Sequence, residues 1–187
     1  MALISLQEIL NLAIVTVVIG YIFSSSLKRP TTEYSLIKGS FAYDDFKLAL
    51  LSAAPGVILH ELAHKFVAMS FGLVAVFKAW WFGLGLGVFL KFINSPFIIV
   101  APGYVSISGL NDPLLIGITA FSGPLINLIL FGISTYALNN YKLKRNTAIL
   151  LYLSKQINLI LFIFNMLPIP PLDGSKVFSS LFQIISS

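Results

Sequence analysis

Residues 47–71 read KLALLSAAPGVILHELAHKFVAMSF, an apolar run that carries both histidines of the chain and one of its three glutamates. A helix of this length reaches about 37 Å, enough to cross a bilayer. Within it, His60-Glu61-Leu62-Ala63-His64 sets two histidines four residues apart. On a helix such residues are offset by only about 40°, one turn up, so both imidazoles reach a single ion. Glu61 is turned away by roughly 100°, where it misses the metal but meets a water on it. This HExxH spacing supplies two zinc ligands and a general base. A solvated His/Glu face and a hydrogen-bonded core histidine are the plainer readings. Neither suits a segment whose flanks, Pro55 to Leu59 and Phe66 to Met69, are nearly all apolar, because burying a Glu and two imidazoles there is costly unless something neutralises them.

Working outward, 57% of the 187 residues are apolar and 10% are charged, the composition of a membrane protein. That length allows four or five spans and almost nothing beyond them. The net charge of +5 comes from Lys and Arg scattered through short polar connectors, with no basic stripe to suggest nucleic acid. With no cysteine, thiolate ligands and disulfides are excluded. The first basic residue is Lys28, so the N-terminal apolar run lacks the charged start of a signal peptide and is expected to be retained.

Four spans are expected, at about 3–23, 47–71, 113–138 and 147–167, with a polar connector at 24–46 that includes Lys28-Arg29-Pro30. Pro55-Gly56, just before His60, is expected to loosen or kink the second span and free backbone carbonyls. Residues 73–111 suit a simple helix badly. Gly83, Gly85 and Gly87 alternate, Pro96 and Pro102 interrupt, and Leu73–Trp81 and Phe97–Ser108 favour β-branched and aromatic residues. A short sheet or re-entrant segment packed on the helices is expected, since hydrocarbon does not accept exposed strands. The competing reading is an ordinary broken span through 98–105. The tail, 175–187, is amphipathic and too short to span. The expected fold is thus an all-α integral membrane bundle of about four transmembrane helices with a small β or re-entrant segment. It forms one domain over 1–187, with a core at about 47–176.

A catalytic zinc takes three protein ligands and keeps one position open. His60 and His64 give two, and without further His or Cys the third is a carboxylate or an amide. Glu8, Glu33, Asp44, Asp45, Asp112 and Asp173 are the acidic candidates. Glu33, Asp44 and Asp45 lie in a polar loop, and Asp112 before Pro113 reads as a helix start. Asp173 sits in Pro168-Ile169-Pro170-Pro171-Leu172-Asp173-Gly174, rigid and apolar as a pre-organised ligand requires. A turn or helix cap at Asp173-Gly174 is the alternative.

Together, HELAH at 60–64 and Asn165-Met166-Leu167-Pro168-Ile169-Pro170-Pro171-Leu172-Asp173-Gly174 resemble the site-2 protease family of intramembrane zinc metalloproteases. Gly123-Pro124-Leu125-Ile126-Asn127 is similar to the family's G-P-x-x-N motif. The resemblance covers roughly 50–176. It implies one zinc on His60, His64 and Asp173, with Glu61 as general base. It implies hydrolysis of peptide bonds in transmembrane protein substrates by a zinc-activated water, in a multi-pass protein of the cell membrane. The sequence carries no PDZ or CBS domain of the kind that accompanies some members. Asn165 and Asn127 are the candidates to bind the substrate backbone or oxyanion, the alternative for each being only to bridge helices, and Asn127, Asn158 and Asn165 are the candidates to line a path for water. An unwound substrate is expected to pair with an edge in 73–111. Two other classes compete: an inactive relative that binds membrane clients, disfavoured by the intact Glu61, and a metal transporter, disfavoured because buried carboxylates are too few to form a relay of sites.

Overall fold

The computed structural model describes residues 3–24, 43–95 and 102–186. Six helices and two strands follow in the order α1 (Leu6–Phe23), α2 (Tyr43–Ser70), β1 (Val74–Ala79), α3 (Trp81–Phe92), β2 (Gly103–Ser108), α4 (Pro113–Asn140), α5 (Arg145–Asn165) and α6 (Asp173–Ser186). Of these, α1, α2, α4 and α5 are long and apolar enough to cross a membrane. Helix starts follow local chemistry. Ser5 and Glu8 form a reciprocal capping box on α1, and Asp112 accepts the Leu114 amide ahead of Pro113 on α4.

Helix α4 is the hub and packs against α2, α5 and α6, while α1 lies on α2. The distribution of side chains is inverted relative to a water-soluble bundle. Outward faces carry Ile9, Val17, Ile133, Tyr152 and Ile163, whereas Glu8, Lys65, Thr119, Asn127 and Asn158 are buried. A small apolar cluster of Val15, Ile19, Ala53, Phe77 and Leu84 joins α1, α2, β1 and α3.

Between the second and third long helices, β1 and β2 pair antiparallel, from Val74 opposite Ser108 to Ala79 opposite Gly103. No uninterrupted span runs through this segment, because β2 occupies 103–108. The expectation drawn from Gly83, Gly85 and Gly87 needs correction, since all three lie inside α3. Gly83 and Gly87 are four apart and both buried, so they share the face on which α3 packs, and that close packing offsets their poor helix propensity. Lys91 anchors the end of α3 to the end of α1: its ammonium donates to the Tyr21 carbonyl and to Ser24 Oγ, and lies over the Tyr21 ring. Helix α2 stays continuous through Pro55. The polar connector expected at 24–46 is shorter than that: Tyr43–Phe46 belong to α2, with Asp44 and Asp45 in its first turn rather than in a loop, while 25–42 and the first part, 97–101, of the β-favouring stretch 97–108 lie outside the described residues.

Candidate metal centre

Three helices converge on one point. Spaced four apart on α2, His60 and His64 lie edge to face with ring centroids 4.7 Å apart, and their Nε2 atoms are 3.1 Å apart. Asp173 opens α6 after the proline-stiffened turn, and its Oδ2 lies 3.1 Å from His60 Nε2 and 3.2 Å from His64 Nε2. Helix α4 closes the third side at Gly123. A Cβ there would stand 2.7 Å from His60 Nε2 and closer still to His64 Nε2, so only glycine lets this helix approach.

The tautomers of both rings are readable from their partners. Asn127 Nδ2 donates to the Gly56 carbonyl at 3.1 Å and to Asn158 Oδ1 at 2.9 Å, which turns Asn127 Oδ1 toward His60 Nδ1 at 2.7 Å. Asn158 is fixed in turn by donating to the Ser154 carbonyl at 2.8 Å. His64 Nδ1 lies 2.7 Å from the Thr119 carbonyl. Facing acceptors, both Nδ1 atoms must donate, so each Nε2 presents a lone pair to the shared point.

Three acceptors crowded into a triangle of 3.1–3.2 Å repel one another unless a cation sits among them. A tetrahedral zinc with bonds near 2.0–2.1 Å needs ligand atoms roughly 3.3–3.4 Å apart, so this donor set fits zinc with a small adjustment. Metal-binding histidines commonly donate their second nitrogen to a carbonyl or carboxylate, as both do here.

Glu61 is buried on the adjacent face of α2, and its carboxylate has no hydrogen bond or ion pair among the described residues. Asn127 and Asn158 are fully buried and committed to the network behind His60, leaving neither amide free for a ligand. Asn165 is the last residue of α5, half-buried, with no side-chain hydrogen bond among the described residues. The Thr119 carbonyl, as a backbone group, carries no sequence signal. Glu8 and Lys65 form an ion pair between α1 and α2 that the charge pattern did not reveal.

Comparison with known proteins points the same way. The model of peptidase family M50 matches residues 139–187, which hold α5, the proline turn and Asp173. "Putative zinc metalloprotease MJ0611" of Methanocaldococcus jannaschii is 36% identical over 178 residues, covering 92% of this chain and 84% of that protein. "Putative zinc metalloprotease YwhC" of Bacillus subtilis is 33% identical over 139 residues, covering 66% of this chain and 64% of that protein. No solved structure matches significantly. With a relative this similar across nearly its whole length, and the family's own profile falling on the Asp173 segment, the chain belongs to peptidase family M50.

Proposed function

We propose that this M50 peptidase is an intramembrane zinc metalloprotease, a single domain that hydrolyses peptide bonds of transmembrane proteins, with its catalytic core in residues 47–176. The observation that carries the reading is the acceptor triangle of His60, His64 and Asp173 beside an unpaired Glu61, among helices long and apolar enough to span. The inverted side-chain distribution supports a lipid surround, since apolar outer faces meet hydrocarbon without cost while buried polar groups are satisfied inside.

His60, His64 and Asp173 are the groups that would hold zinc, leaving a fourth position open. Bound there, zinc supplies a Lewis acid that acidifies water and polarises a carbonyl. Glu61 accepts the proton of the attacking water and returns it to the leaving amine as the C–N bond breaks. Asn127 and the Thr119 carbonyl keep both imidazoles in the ligating tautomer. Asn165, at the helix end nearest the proline turn, is the remaining candidate to bind the substrate backbone.

The test is cleavage of a helical transmembrane peptide by the purified protein in lipid vesicles, before and after removal of metal with a chelator. Activity is expected to vanish on chelation, return with about one equivalent of zinc, and be absent from His60→Ala. Undiminished cleavage by thoroughly chelated protein would refute the reading.

A further inference from the structure

Lys65 follows His64 directly and stands four residues after Glu61, on the same side of α2 as that carboxylate. Glu followed by Lys at this spacing is the favoured order for an ion pair within a helix. The pair does not form. The Lys65 ammonium is bound instead to Glu8 Oε1 of α1, and both residues are buried, with 2% and 3% of their surfaces exposed. Glu8 is held for this task by three further donors: the Phe77 amide of β1 at 2.8 Å, the Ser5 amide at 2.8 Å and Ser5 Oγ at 3.0 Å. Glu61, meanwhile, has no partner among the described residues. The lysine that does act on Glu61 is the exposed Lys176 of α6, which forms no ion pair with it, whereas Lys65, turned to Glu8, does not.

Stability alone is a poor account of this arrangement. A buried ion pair is commonly replaceable by apolar side chains at no loss, whereas removing one partner leaves the other as an uncompensated buried charge. We propose that Glu8 is a positioning residue that captures the Lys65 ammonium and thereby keeps the Glu61 carboxylate unpaired for proton transfer. Released from Glu8, Lys65 would have a carboxylate four residues back on its own helix face, that of Glu61, at the spacing at which such pairs form. The inference rests on Glu61 acting as the base.

The test compares zinc-loaded wild type, Glu8→Gln, Glu8→Gln/Lys65→Met and Glu61→Gln, as full chains in vesicles with a transmembrane peptide. Glu8→Gln is expected to lose about tenfold or more in kcat, part of what a general base contributes, with KM and zinc content unchanged. The double variant, which has no ammonium to misplace, is expected to return to within about threefold of wild type; a merely structural pair would give the same rescue, so the discriminating result is a kcat loss in Glu8→Gln at unchanged thermal stability and zinc content. A second readout needs no catalysis. Coupling with the apolar dicyclohexylcarbodiimide, mapped by mass spectrometry, should join Lys65 to Glu8 in wild type and to Glu61 in Glu8→Gln. Wild-type turnover in Glu8→Gln, a double variant no better than the single, or no Lys65–Glu61 link in Glu8→Gln would each overturn the proposal. Because the double variant buries no charge at this pair, it tests the idea even where Glu8→Gln does not fold, and an inactive, folded double variant overturns it. Full activity in Glu61→Gln would instead defeat the base assignment itself.

Discussion

Gly123 offers a sharp test of how α4 meets the candidate metal centre. Replacing it with alanine adds one methyl group 2.7 Å from His60 Nε2 and closer to His64 Nε2, against an ordinary contact of about 3.4 Å or more. Either the imidazoles or α4 must retreat by roughly 0.7–1 Å, while metal–ligand distances tolerate about 0.2 Å. Overpacking of this kind costs about 1–3 kcal/mol in stability. Zinc affinity should fall further, by more than about 100-fold, the upper end of what removing a residue that only orients a ligand costs. Gly132→Ala is the matched control: it lies on the same helix with nothing within 4 Å, so it should gain about 0.5–1 kcal/mol from helix propensity and leave zinc binding alone. Both are assayed by zinc retained against a competing chelator and by thermal unfolding in detergent. A Gly123→Ala protein that holds zinc like wild type would refute the close approach of α4 to the two histidines.

Asp173→Ala leaves two imidazoles to hold the metal and should lose zinc on dialysis against a mild chelator; retention equal to wild type removes Asp173 from the site. In the wild type, zinc at about 100 times its dissociation constant should stabilise the fold by about 2.7 kcal/mol, a shift that Asp173→Ala should not show in thermal unfolding. Asn127→Leu takes the acceptor from His60 Nδ1 and should weaken zinc binding about 10–100-fold by chelator competition, with Asn158→Leu weaker in effect because it acts one bond further away. If Asn127 instead touched substrate, its loss would raise KM and leave zinc affinity untouched.

The parts of this fold that are legible in the sequence are those where one residue type has one physical use. HELAH can be read because spacing on a helix fixes direction, and Asp173 stands out because three prolines flank it in an apolar setting. Long apolar runs give the four long helices to within a few residues. Composition misleads over α3, where three glycines read as breaks although two of them form a packing face. An Asn in a G-P-x-x-N string has the same letters whether its amide meets substrate or an imidazole, and the direction is set by Gly56 and Asn158 on two other helices. In the sequence Glu8 reads only as one of several acidic candidates for the third metal ligand. Its partner Lys65 lies 57 positions away, and nothing local links them.

The central claim is that zinc held by α2 and α6 works with Glu61 to cut peptide bonds within a membrane. Glu61→Gln keeps the shape of the side chain and removes its basicity, so zinc-loaded wild type and Glu61→Gln, compared on one transmembrane peptide in one vesicle preparation, test it most directly. The expected result is equal zinc content with cleavage reduced by about 10²–10⁴-fold in the variant. Equal zinc with equal cleavage would contradict the account.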